Sequence, residues 1–258
     1  MRNEVDNILK TFVPISLEQM KEIQLMDRLD FKYVAPVSLL PSLLEEISSL
    51  FLVQTINDVR IASYKTQYFD TPGLDYFVMH HNGKLNRQKI RIRSYVESNL
   101  AFLEVKNKNN KGRTRKIRVK IDTSQVNSIA DLDDEQEFLD EHSIFSTDSL
   151  VPVLENAFNR ITLVNNRKTE RITIDFYISF WNDITQKEIM LDNIMVLELK
   201  QDGQQYSDFR AVLEQLNIRQ VSFSKYCVGV AMTDPDVKKN QFKKKIRRIN
   251  KLTENDTI

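Results

Sequence analysis

The chain has one cysteine among its 258 residues, Cys227, which excludes an intrachain disulfide and fits a reducing cytoplasm. No Walker A glycine loop occurs, so any nucleotide chemistry here must work without a P-loop. Histidine is scarce too: His80, His81 and His142 lack the spacing of zinc ligands and read as surface residues. There is no run of roughly 18 apolar residues and no secretory signal, so the sequence offers nothing that spans a membrane. With a net charge of +1 the protein is not generically polybasic. What it has instead is charge sorted by position. Acids gather in 131–142, and bases gather in 84–120 and near the C-terminus.

The stretch 84–120 contains thirteen Lys or Arg and two acids, Glu97 and Glu104. Its charges alternate. Lys89, Arg91 and Arg93 interleave with Ile90, Ile92 and Ser94. Phe102, Glu104, Lys106 and Lys108 interleave with Leu103, Val105 and Asn107, and Lys116, Arg118 and Lys120 with Ile117, Val119 and Ile121. Successive side chains of a strand point to opposite faces, so each run predicts a strand with one apolar and one cationic face. A solvent face of an antiparallel sheet is often basic. Three adjacent strands with like charges side by side repel one another, however, and an anion is expected to offset that repulsion.

Along the chain, 1–27 reads as an approach segment with a short helix after Ser16, where Ser16 and Gln19 suit a capping box. A strand is expected at 28–35, with Arg28, Asp30 and Lys32 on one face. Helical spacing follows over 37–50, β-rich composition over 60–71, and a short helix over 74–81. The acidic stretch 131–142 predicts a solvated helix, because its carboxylates have neither EF-hand order nor a central glycine. Strand pattern resumes at 153–164, 168–180 and 193–200. Helices are expected from Ser207 and within 222–232. That makes about eight β segments, enough to close an antiparallel sheet around a narrow interior. An interior lined by Lys, Arg and a few carboxylates is tolerable only when filled by water, polyanion and metal.

Nine short motifs then appear in order: FKY (31–33), QYFDT (67–71), IRIRSY (90–95), FLEVK (102–106), KIR (116–118), FNR (158–160), RITID (171–175), VLELK (196–200) and FSKY (223–226). In this the chain resembles the VTC domain, the polyphosphate-polymerase branch of the triphosphate tunnel metalloenzymes, over roughly 28–232. The resemblance implies an α+β fold, an eight-stranded antiparallel β-barrel forming a triphosphate tunnel with peripheral helices. The remaining 233–258, rich in bases and too polar for a core, reads as a basic, disordered tail outside the domain. Position by position, the resemblance makes Lys32, Arg91, Arg93, Lys106, Lys116, Arg160, Arg171 and Lys225 phosphate-binding cations and Glu198 the ligand of Mn²⁺ or Mg²⁺. Arg118 and Lys200, with Glu104 and Asp175, face the same way and join the candidate set. Arg91, Arg93, Lys106, Arg160, Arg171 and Glu198 are the candidate catalytic group. One position departs from the pattern: some members carry a second lysine where this chain has Ser222.

The activity implied is transfer of the γ-phosphoryl group of ATP to a growing polyphosphate chain in the cytoplasm. Two alternatives stand beside it. One is a tunnel triphosphatase acting on tripolyphosphate or nucleoside triphosphates, the other a non-catalytic module binding polyphosphate or inositol phosphates. Nucleic acid is disfavoured, because the basic strands interleave few exposed aromatics for bases to stack on. The tail, with eight bases and no acid over 238–251, suggests attachment to an anionic membrane surface or to a membrane-protein partner.

Overall fold

The computed structural model describes every residue except 24, 26–27, 112, 127–128, 130–134, 204–205 and 255–258. Ten strands form one sheet: β1 (Pro14–Ser16), β2 (Arg28–Pro36), β3 (Phe51–Thr55), β4 (Ala62–Asp70), β5 (Arg87–Tyr95), β6 (Leu100–Lys108), β7 (Thr114–Ile121), β8 (Val151–Asn165), β9 (Glu170–Asn182) and β10 (Lys187–Asp202). Eight of them follow the path β2-β10-β9-β8-β4-β5-β6-β7, each antiparallel to its neighbour. The far end of β8 also pairs with β3, and β1 runs parallel to β3.

The helices are α1 (Arg2–Leu9), α2 (Leu17–Glu22), α3 (Leu40–Ile47), α4 (Asp75–His81), α5 (Gln136–His142), α6 (Asp208–Gln215), α7 (Lys225–Thr233) and α8 (Lys243–Glu254). Among the described residues, none is long and apolar enough to cross a membrane.

Period-two alternation explains where the core sits. Ile172 and Ile174 of β9 and Leu197 and Leu199 of β10 turn outward and pack under α1, α3 and α6. Ile90 and Ile92 of β5 and Leu103 and Val105 of β6 do the same against Tyr76 of α4 and Leu139 of α5. Residues between them on each strand face the other way, and there the charges lie. Burying a Leu or Ile side chain is worth about 1.5–3 kcal/mol. The outer apolar layer is therefore what holds a charged inner face in shape.

Expectation and structure agree on an antiparallel, α+β architecture with peripheral helices, and differ in three places. First, the sheet is not closed: among the described residues β2 and β7 are not paired. The free edge of β2 is occupied otherwise, since Val221 donates to the carbonyl of Lys32 at 2.8 Å and Arg248 Nη2 to that of Val34 at 3.4 Å. Second, β1 and β3 escaped sequence reading, because three- and five-residue strands are too short to show a period. Third, the tail expected to be disordered contains α8, whose Ile249 is buried together with the preceding Phe242. Ile246, Ile249 and Leu252 recur at helical spacing and supply an apolar face that the charge count concealed. The expected acidic helix is present over Gln136–His142, and residues 131–134 of it lie outside the described residues.

Candidate functional site

The register brings the alternating charges into cross-strand rows. Arg91 of β5 lies opposite Glu104 of β6, which lies opposite Arg118 of β7. Lys89, Lys106 and Lys116 form the next row. On the other side Lys32, Glu198 and Thr173 align across β2, β10 and β9, and Arg160 pairs with Asp175 across β8 and β9. The sheet curls strongly. Lys106 and Glu198 are five strands apart along the path, roughly 24 Å at ordinary strand spacing. Yet the adjacent residues Ser224 and Lys225 bond Lys89 of β5 and Asp175 of β9, and the charge of Glu198 reaches Lys106.

Helix α7 enters this concave space, and local chemistry fixes how. Ser224 caps the helix by accepting from the Cys227 amide at 3.3 Å, and the same hydroxyl receives Lys89 Nζ at 2.8 Å. Tyr226 donates to Asp70, whose carboxylate also takes the amides of Thr71, Tyr76 and Phe77 and so ties β4 to α4 and α7. With its neighbours anchored, Lys225 is aimed at Asp175.

Among the described residues, three carboxylates of the interior, Glu104, Asp175 and Glu198, each hold two cations. Glu104, with no exposed surface, accepts from Arg91 at 2.5 and 2.8 Å and from Lys116 at 2.9 Å. Asp175 takes a two-pronged bond from Arg160 at 2.5 and 2.7 Å and a bond from Lys225. Glu198 meets Lys32 at 2.7 Å and Lys200 at 3.8 Å. Burial alone would push all three carboxyls up. Arg91 and its fellow cations instead hold Glu104 well below the usual range, Arg160 and Lys225 hold Asp175 at about 2, and Lys200 and Lys32 hold Glu198 well below.

The positive charge exceeds what those acids neutralise. Arg93, 7% exposed, gives its Nε to Thr66 Oγ1 at 3.1 Å and forms no ion pair among the described residues. Lys106 has no hydrogen-bond or ion-pair partner among them. Burial first, then Arg91 and Arg93, drive its ammonium well below the ordinary lysine range. Arg118 lies over the Phe102 ring at 4.3 Å. Lys225 is lowered to about 8 by burial, although Asp175 opposes the shift. Tyr68 makes the same point with a neutral group. Burial should raise its phenol, yet Arg91, Arg93, Lys89 and Lys225 bring it below its ordinary value. Such a field is costly without an anion and is matched to one.

By register the nine strand-borne phosphate-site candidates take concave-face positions, Arg171 directly opposite Lys200, and Lys225 joins them from α7. The Arg171 side chain reaches the N-terminal segment, where its Nη2 donates to the carbonyls of Met20 at 2.9 Å and Ile23 at 3.3 Å. Sequence reading missed an aromatic wall. Arg160 Cζ lies 4.8 Å from the Tyr64 ring centroid and 5.1 Å from that of Phe158, and Lys225 Nζ lies 4.2 Å from Phe158. Alternation of Tyr64, Thr66 and Tyr68 along β4 was the available signal.

No three His, Cys, Asp or Glu gather as a protein-only metal cage among the described residues. A small hard cation does not need one. Mg²⁺ takes one or two carboxylates and completes its shell with waters and substrate phosphate oxygens, and Glu198 suits that donor set.

A family model described as VTC domain matches residues 27–233. No curated protein is matched by the sequence. Among solved structures, a proposed adenylate cyclase of Vibrio parahaemolyticus is 13% identical with a TM-score of 0.47, over 80% of this chain and 99% of that one. A proposed adenylyl cyclase of Hippeastrum, described as having a dominant triphosphatase activity, is 14% identical with a TM-score of 0.46, over 81% and 97%. The PH1819 protein of Pyrococcus horikoshii is 15% identical with a TM-score of 0.43, over 80% and 98%.

Proposed function

Because the chain belongs to the VTC domain family, matched over residues 27–233, we propose that it is a polyphosphate polymerase that transfers the γ-phosphoryl group of ATP to a polyphosphate chain held in its cationic interior. The observation that carries this reading is that Lys106 and Arg93 form no ion pair among the described residues, although they stand beside three carboxylates that each pair with other cations. A chain of phosphates fits because it brings one negative charge per small repeating unit to a surface whose cations recur at strand spacing.

Phosphoryl transfer asks mainly for alignment and for neutralisation of charge on the equatorial oxygens. Arg91, Arg93 and Arg160 present planar forks suited to two phosphate oxygens each, and Lys32, Lys106, Lys116 and Lys200 act as point charges. Glu104 and Asp175 set the orientation of Arg91 and Arg160, so these forks are fixed before a ligand arrives. Lys225, with its pKa of about 8, is poised to share a proton with a phosphate oxygen near neutrality. A divalent ion held by Glu198 would neutralise and orient phosphate oxygens.

Titration of tripolyphosphate into the wild type and Lys106→Met tests the reading. Salt-sensitive binding is expected, weakened at least about tenfold by the loss of a buried charge-assisted contact. Equal affinities would remove Lys106, and with it the main support. The hydrolytic reading draws on Ser222, exposed just before α7 where some family members place a lysine. A weaker grip at that point favours release over extension, and it predicts orthophosphate from tripolyphosphate.

A further inference from the structure

Beyond Lys89 the row of like charges continues out of the interior. On β5 and β6 the concave-face positions run Arg91, Lys89, Arg87 and Glu104, Lys106, Lys108, and the register sets Lys89 directly opposite Lys106 and Arg87 directly opposite Lys108. Directly opposed like charges destabilise a sheet. Lys89 also bonds the Ser224 cap of α7, but two such pairs in succession add repulsion that an anion would offset. To Arg87, Lys89 and Lys108, the members that lie past Lys106, a fourth cation is added from the far end of the chain. Lys245 on α8 lies 5.5 Å from the Phe242 ring, Phe242 packs edge-on against His80 at 6.0 Å, and His80 Nδ1 is 3.0 Å from Cys227 Sγ. All four cations are half-buried, and none forms an ion pair among the described residues. His80, in their midst, is lowered to about 3 by burial and then by Lys89, Arg87, Lys245 and Lys108.

We propose that Arg87, Lys89, Lys108 and Lys245 form a second phosphate-binding subsite, which takes the part of a phosphate chain that extends past Arg91 and Lys106. This rests on the polyphosphate reading of the interior and adds to it a direction, since the chain runs from Arg91 towards the α4–α8 end of β5. It also gives α8 a role: the helix brings Lys245 to a rim that β5 and β6 alone leave one-sided. The ligand class is a linear polyanion of repeating phosphates longer than the interior itself accommodates.

The test compares tripolyphosphate with long-chain polyphosphate on the full chain, by calorimetric titration, in the wild type and in Lys108→Gln/Lys245→Gln. Both substitutions lie outside the interior, and thermal melts establish that the variant is folded. The wild type is expected to bind the long chain more tightly. The double variant should lose about tenfold on the long chain, the sum of two partly exposed ion pairs, with tripolyphosphate within twofold of wild type. If the wild type binds both lengths equally, the subsite is wrong and the reading of the interior stands. If the variant weakens both lengths alike, the rim has no chain-length role and the proposal fails. Wild type that binds neither ligand overturns the interior reading and the subsite together. A single-stranded RNA of matched charge that binds as tightly as polyphosphate, and is weakened equally by the double variant, also overturns the assignment of a phosphate chain.

Discussion

Replacing Glu104 by Gln removes one charge and almost no volume from a residue with no exposed surface. Two cations then lose their carboxylate: Arg91, within 2.5 Å, and Lys116, within 2.9 Å. Breaking a buried ion pair by removing one partner costs about 3–5 kcal/mol, because the remaining charge is left uncompensated. Lys116 is partly solvated, so most of that cost falls on Arg91, whose side chain is 8% exposed. For a chain of this size a loss of 1 kcal/mol lowers Tm by about 2–4 °C, which gives a fall of roughly 6–20 °C. An added phosphate anion should then replace the missing carboxylate. In the wild type, ligand at 100 times its Kd stabilises by about 2.7 kcal/mol. In Glu104→Gln the same concentration of tripolyphosphate should give a larger rise in Tm than in the wild type. Thermal melts with and without tripolyphosphate measure both effects. A fall below about 2 °C, or a ligand-induced rise no greater than the wild type's, would refute the claim that Glu104 offsets charge in an anion-binding interior.

Two further expectations follow from single residues. Lys225 has a pKa lowered to about 8, chiefly by burial, so its ammonium is present below that pH and lost above it. Tripolyphosphate affinity should therefore hold from pH 6.5 to 7.5 and fall as pH rises through about 8, whereas Lys225→Arg should flatten the profile; a profile unchanged by the substitution counts against a role for this ammonium. Gly229 of α7 has Leu154 Cδ2 and Phe180 Cδ1 at 2.5 and 2.7 Å from where a Cβ would stand. Gly229→Ala should push α7 out of its seat at a cost of about 1–3 kcal/mol, seen as a lower midpoint in urea melts, and an unchanged midpoint contradicts the packing.

Much of the site was legible in the sequence because a strand has a period of two. That period alone places Arg91, Arg93, Lys106, Lys116 and Arg118 on one face. It could not show that each interior acid serves two cations, since Arg160 is 15 residues from Asp175 and Lys225 is 50 away. Pairings of that kind depend on register and on the curl of the sheet. The aromatic wall was hidden for a different reason: Tyr64, Tyr68 and Phe158 sit in segments whose β-rich composition explains aromatics without any need for a site. The same period of two puts Arg171 on the charged face, opposite Lys200, but does not show that its Nη2 reaches the carbonyls of Met20 and Ile23. Closure failed as an expectation because edge strands can be satisfied by loops and side chains, here Val221 and Arg248 on β2. Net positive charge drew attention away from Ile246, Ile249 and Leu252, which make α8 a packed helix rather than a loose tail.

Incubation of the purified chain with ATP labelled in the γ-phosphoryl group, with Mn²⁺ or Mg²⁺ present, tests the central claim most directly. The products are separated by length, and Arg91→Ala and Glu198→Gln serve as controls. Label carried into chains longer than tripolyphosphate, with ADP released and both controls inactive, is the expected result. Label found only in orthophosphate, or chains formed equally well by Arg91→Ala, would contradict it.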